Sequence, residues 1–198
     1  MKRQMIPIAS AVLMLVSFSI VQAARSPVKV GGAAPDFELK DANGKSVKLS
    51  DFNGKMIVLE WTNPACPFVQ RHYRQRTMAN LASEYKDKGV VWLAINSGSD
   101  DGIAVNKAWV EKNHLAYPVL DDSKGTVGKE YGAKSTPHMF IIDRDGKLAY
   151  AGGIDNDPEG DNPHRVNYVK KALDELLAGQ SVSTPVTKSY GCGVHYQD

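Results

Sequence analysis

Apolar and polar positions alternate in two short runs near the start of the chain, Phe37 to Lys40 and Ser46 to Leu49. Between them, Asp41-Ala42-Asn43-Gly44-Lys45 carries the Asn-Gly pair that favours a hairpin turn. Met56 to Trp61 is a nearly continuous apolar run and predicts a buried strand. From Pro67 to about Lys88 the period becomes helical: Val69, Tyr73, Met78, Leu81, Ala82 and Tyr85 share one face, and Gly89 supplies the stop. The spacing slips between Tyr73 and Met78, where Arg71, Arg74, Gln75 and Arg76 crowd, so a kink is expected there. Val90 to Ile95 predicts a second buried strand and Ile103 to Asn113 a second helix. Tyr117 to Leu120 is a short strand that Pro118 assigns to a sheet edge, and Gly125 to Tyr131 a short helix.

Met139 to Ile142 and Leu148 to Tyr150 flank Asp143-Arg144-Asp145-Gly146, a second hairpin signal. Asn162-Pro163 has the form of an N-cap followed by proline at the first helical position. Val166, Val169, Leu173, Leu176 and Leu177 give that last helix its apolar face, and Gly179 ends it. From Ser181 onward there is no period, and the chain is expected to lie extended on the domain. Strand, helix and strand followed by hairpin and helix predict an α/β fold with a mixed central sheet flanked by helices, an N-terminal β-hairpin and an extended C-terminal tail.

The first residues change the picture of compartment. Lys2 and Arg3 precede a mostly apolar stretch from Ile6 to Ile20, and Val21-Gln22-Ala23 offers small residues for cleavage. Residues 1–23 are therefore expected to be a signal peptide, 24–180 the folded domain, and 181–198 a tail carrying Cys192. The apolar stretch is short against the roughly 20 residues of a membrane span, although a retained anchor stays open. Export, to a periplasm in the expected case, is implied, with no stable membrane insertion after cleavage. The formal net charge of the whole chain is +2. Loss of Lys2 and Arg3 brings it to about zero, which excludes nucleic acid and an anionic membrane surface as partners. The remaining chain of about 175 residues suffices for one domain with a full core.

The chain has two cysteines, Cys66 and Cys192, too few for a disulfide-built scaffold but free to pair in an exported protein. Cys66 stands in Asn63-Pro64-Ala65-Cys66-Pro67-Phe68, between the strand and the first helix. A thiol at a helix N-terminus meets unpaired N–H groups and the positive end of the helix dipole. Both favour the thiolate, which is the reactive species. The other possibility for Cys66 is a buried, inert thiol. Cys192 is expected to be the resolving partner of Cys66, half of a structural bridge, or a separate thiol. Joining the two closes a loop of about 126 residues, worth on the order of 5 kcal/mol in the chain-entropy model.

On these motifs the chain resembles the thioredoxin superfamily over nearly all of the mature sequence. The strand–turn–Cys–Pro–helix segment around Cys66 is one half of the resemblance. The other is Tyr131-Gly132-Ala133-Lys134-Ser135-Thr136-Pro137-His138-Met139-Phe140-Ile141-Ile142-Asp143, similar to the segment that places a cis-proline opposite the active cysteine. Within the superfamily the chain is most similar to exported redoxins grouped with the alkyl hydroperoxide reductase and thiol-specific antioxidant families. Their Asn-Pro-x-Cys-Pro-Phe segment and late Gly-Cys have counterparts here.

The chain departs from both better-known branches. Asn63 stands where a Cys-x-x-Cys dithiol has its first cysteine. Against a peroxiredoxin pattern, Leu59 replaces the proline, Asn63 the threonine and Pro137 the arginine, while Thr62 is one residue off.

The resemblance implies a thiol oxidoreductase in which Cys66 and Cys192 are catalytic. Thr136 and Pro137 would present the substrate backbone, the alternative being a proline kept for chain reversal. His138 and Glu60 are candidate proton relays. For His138, packing at a strand start is the preferred role, and for Glu60 an ion pair with a nearby arginine. His72 lies roughly 240° around the helix from Cys66, at about 100° per residue, and is set aside. Asp155-Asn156-Asp157-Pro158-Glu159-Gly160-Asp161 imitates a calcium loop, but Val166 stands where a bidentate Glu is required, so a solvated acidic loop is expected.

No cofactor and no metal are expected. The implied partners are a thiol or disulfide protein, or a peroxide, together with an external thiol reductant. The contrasting possibility is a non-catalytic binding module with a structural Cys66–Cys192 bridge or inert thiols.

Overall fold

The computed structural model describes residues 27–98 and 102–196, so the expected signal peptide lies outside the described residues. β1 (Glu38–Asp41) and β2 (Ser46–Lys48) form the N-terminal hairpin. Asp41 Oδ1 accepts from the N–H groups of Asn43 and Lys45, and Gly44 takes the turn's positive φ of 79°. The second hairpin repeats this chemistry: Asp143 Oδ1 accepts from Asp145 and Lys147 between β7 (His138–Ile142) and β8 (Leu148–Gly152).

A seven-stranded sheet runs in the order β2-β1-β5-β4-β3-β7-β8. In it β3 (Met56–Trp61), β4 (Val90–Ser97) and β5 (Val119–Asp122) are parallel neighbours, and β7 joins β3 antiparallel. Every residue of β3 is buried, because each face of the sheet carries its own core. Ile57, Leu59 and Trp61 face one side, where Trp61, Tyr131 and Phe140 cluster with ring centroids 5.0–5.7 Å apart. Met56 and Val58 face the other, with Glu60 among them, beneath the helices.

β5 is not an edge strand. The N-terminal hairpin pairs with it through β1, antiparallel, and so covers the side that Pro118 was expected to leave open. Pro118 itself precedes the strand, and its carbonyl accepts from Ala94 N–H, a bond that needs no donor from proline.

The kink expected after Tyr73 is a full break. α1 (Pro67–Arg74) ends at Gln75, and α2 (Thr77–Lys86) starts after Arg76, held in the left-handed region at φ 56°. α3 (Gly102–Asn113) and α4 (Thr126–Tyr131) follow where the periodicity places them.

The last helix, α5 (Tyr168–Leu177), begins later than Asn162-Pro163 suggests. Asn167 is its N-cap, its side chain accepting from Lys170 N–H at 2.8 Å. Upstream, side chains capture the amides a helix would need. Asp157 Oδ1 accepts from Gly160, Asp161 and Asn162, and Asn156 Oδ1 from Val166, which is left exposed. The acidic loop is solvated in part: Asn156 and residues 158–161 are exposed, while Asp155 and Asp157 are buried, at 1% and 4% exposure.

The tail runs back along the domain. Pro185 accepts from Ala151 N–H, Thr187 donates to Ala151, and β9 (Cys192–Gly193) pairs antiparallel with β6 (Ser135–Thr136).

Candidate active site

The turn after β3 delivers Cys66 to the mouth of α1. Asn63 Oδ1 accepts from Ala65 N–H at 2.8 Å and Asn63 O from Cys66 N–H at 3.0 Å, so the residue that replaces a first cysteine builds the turn instead. Cys66 is the N-cap, in extended backbone with φ −75° and ψ 122°, and Pro67 follows at the first helical position. The sulfur is buried, at 2% exposure, and in its thiol form donates to Thr136 O at 3.0 Å.

Thr136–Pro137 is a cis peptide bond. Thr136 also lies opposite Cys192 in the β6–β9 pair, so one residue touches both cysteines. Both cysteines are free thiols, and both meet Thr136.

This arrangement divides the labour between the two sulfurs. Burial pushes the Cys66 thiol up, but the Cys192 thiol, the Thr136 hydroxyl and the N–H groups of Val69 and Cys192 stabilise its anion. The outcome lies below the ordinary thiol value. Cys192 is pushed up to about 11 by burial, then by its hydrogen bond to Cys66 and the charge there. The pair therefore favours a thiolate on Cys66 and a proton on Cys192.

Glu60 is fully buried on the same side of the sheet as α1. Its expected arginine partner is not there. Tyr73 OH donates to Oε1 and Trp92 Nε1 to Oε2, each at 2.9 Å. Burial, only partly offset by the bonds from Trp92, Tyr73 and Thr62, raises its carboxyl to about 7. Tyr73 lies seven residues after Cys66, so α1 carries both the thiol and a hydrogen-bond donor to Glu60.

His138 is buried against Phe140, ring centroids 4.4 Å apart, and its Nδ1 accepts from Lys134 N–H at 3.2 Å. Burial and the nearby Lys134 charge lower it to about 4, so the ring is neutral at pH 7.

His72 lies off the face of Cys66, as its position along α1 predicts, and meets the C-terminal tail instead. His72 is buried, and its Nε2 lies 2.9 Å from the hydroxyl of Tyr190. Tyr190 OH donates to Asp155 Oδ1 in a short hydrogen bond, and Arg71 Nη2 lies 3.3 Å from the same histidine nitrogen. Phe68 packs on the same ring with centroids 6.1 Å apart. Tyr190 stands two residues before Cys192, so α1 carries Cys66 at its start and grips the second cysteine's segment along its side. The aromatic–glycine pair next to Cys192 was the signal available in the sequence.

Residues 30–151 match the model of the AhpC/TSA family. The thiol-disulfide oxidoreductase ResA of Bacillus thuringiensis subsp. konkukian is 36% identical over 121 residues, covering 61% of this chain and 68% of ResA. Among solved structures, a hypothetical protein of Sinorhizobium meliloti 1021 superposes with a TM-score of 0.79 at 28% identity, over 87% of this chain and 97% of its own. An uncharacterized conserved protein of Geobacillus kaustophilus gives 0.78 at 31% identity, over 85% and 93%. The chain is a thioredoxin-fold oxidoreductase and belongs to the AhpC/TSA family.

Proposed function

We propose that the protein is an exported thiol–disulfide oxidoreductase whose redox couple is Cys66 and Cys192. The observation that carries this reading is that Thr136 pairs with Cys192 while its carbonyl accepts from the helix-capping Cys66, which brings two free thiols to one residue. Cys66 thiolate attacks one sulfur of a substrate disulfide, forming a Cys66–substrate bond while the other substrate sulfur leaves as a thiolate and takes a proton. Cys192, giving up its proton, attacks Cys66 Sγ. The second substrate thiol leaves, and two electrons have passed from the couple to the substrate. An external dithiol returns the couple to its reduced state.

Glu60, raised to about 7, is the buried acid best suited to exchange a proton with the couple near neutral pH. His138 is not, with its ring nitrogen held by Lys134 N–H. The basic start and apolar stretch before Ala23 support export. The resemblance to ResA favours disulfide exchange over peroxide reduction, as do Asn63 and Pro137 at two peroxidase positions.

Reduced mature protein is mixed with oxidised glutathione, quenched with acid and weighed by mass spectrometry. It should lose both thiols and emerge lighter by two hydrogens, whereas Cys192→Ala should stall as a glutathione adduct on Cys66. The same variant loses a donor to the Cys66 anion, so its alkylation profile against pH should shift to a higher apparent pKa than wild type. Retention of both thiols, or turnover of hydrogen peroxide with disulfides left untouched, would overturn the assignment.

A further inference from the structure

The strand that carries Cys192 occupies the backbone edge next to the nucleophile. Ser135 pairs with Gly193 and Thr136 with Cys192, so the edge of β6 has no room for a second strand while β9 is docked. Anchors lie on both sides. Ahead of Cys192, Tyr190 is held by His72 and Asp155, and Ser189 Oγ accepts from Ser135 Oγ at 2.9 Å. Beyond it, Val194 N–H donates to Lys134 O at 3.2 Å and Tyr196 OH to Ala133 O at 2.6 Å. The paired stretch itself is only two residues long, and Cys192 and Gly193 are half-buried and exposed. A ladder of two residues is held by few backbone bonds, few enough to exchange with another strand.

Gly191 makes the fit specific. A Cβ there would stand 2.0 Å from Thr136 O and 3.3 Å from Pro137 Cδ, and its φ of +126° is one that L side chains rarely adopt. The clash is with backbone, so no rotamer relieves it. Whatever lies along Thr136 in this pose needs glycine immediately before its cysteine.

Building on the thiol–disulfide reading, we propose that β9 is an internal occupant of the substrate site. The substrate is an extended polypeptide segment bearing a Gly-Cys pair, which displaces β9 and lies antiparallel to Thr136 in its place. Docked tail and bound substrate exclude each other. The tail leaves to admit a substrate disulfide to Cys66, and its return brings Cys192 to the mixed disulfide as the product strand departs. Holding Cys192 and screening Cys66 are then one act of the same segment.

The test uses a fluorescent synthetic peptide of residues 188–196 with Cys192→Ser, which binds without any thiol chemistry. The reduced mature chain carrying Gly191→Val, unable to dock its own tail, should bind this peptide at least tenfold more tightly than wild type by fluorescence anisotropy. A second peptide with Gly191→Ala should lose that gain. Equal affinity for the two chains, or no binding to the Gly191→Val chain, overturns the proposal, and undiminished binding of the alanine peptide overturns the glycine requirement.

Should Gly191→Val fail to fold, amide hydrogen exchange on wild type decides. Saturating peptide should speed exchange across residues 190–194, and unchanged exchange overturns the displacement. Because the probe carries no thiol, failure here is distinct from failure of the glutathione experiment, which alone judges the redox couple.

Discussion

At the scale of single residues, burial sets the chemistry more than residue type does. Glu60 is the next-to-last residue of a strand that is otherwise apolar, and its two oxygens are bonded to Tyr73 and Trp92, with no cation paired to it among the described residues. Its folded value of about 7 lies above the unfolded 4.5, so the folded state holds an extra proton between these limits. Its contribution is fully present below pH 4.5 and is lost as pH rises through 7, by about 3 kcal/mol. His72 and His138 are both lowered to about 4 and act in the opposite direction, since each must stay neutral to fold. The wild-type curve therefore mixes the three. The informative quantity is the difference in urea unfolding free energy between wild type and Glu60→Gln. The variant should gain on wild type steadily from pH 4.5 to pH 7, and parallel curves would contradict the assignment. No pattern in the sequence told Glu60 from an ion-paired glutamate, because the partners that bury it come from α1 and β4.

At the scale of elements, the strands and hairpins were the most legible. Met56 to Trp61 is buried on both faces, and alternation with Asp-x-x-Gly turns marks the two hairpins. Elements that begin where side chains and helix compete for the same amides were less legible. Asn162-Pro163 has the local form of a helix start, yet Asp157 takes the amides of residues 160–162 and the helix waits for Asn167. Asn167→Ala removes the bond to Lys170 N–H and should destabilise the protein by about 1 kcal/mol, read as a lower urea midpoint at unchanged slope. Asn162→Ala should leave α5 intact and cost less, because its side chain serves the exposed loop ahead of the helix, accepting from His164 N–H and donating to Asn156 Oδ1. Pro118 misled for a related reason: it restricts its own residue, while the edge it predicted was closed by a hairpin about eighty positions earlier in the chain, roughly the separation of Asp41 from Leu120.

At the scale of the whole molecule, the tail ties the end of the chain to the first turn of the first helix. Oxidation of Cys66 to Cys192 would close a loop of about 126 residues around most of the domain. The chain-entropy model gives on the order of 5 kcal/mol for it. The oxidised protein should therefore melt well above the reduced one, with the gap abolished in Cys192→Ala, as followed by circular dichroism with and without dithiothreitol. Equal melting temperatures would mean that the couple does not close within one chain.

The sequence by itself determined the α/β class, both hairpins, the cysteine at a helix start and the proline segment that faces it. Each of these depends on interactions within a few residues of chain, which local composition records. Only the tertiary structure decided which groups meet. It set Thr136 between the two sulfurs, buried Glu60 without a cation, turned His72 from a discarded side chain into a grip on Tyr190, and laid Gly191 against Thr136 where no Cβ fits. Those contacts join segments that lie far apart in sequence, and the desolvation and close packing that give them force exist only once the chain has folded.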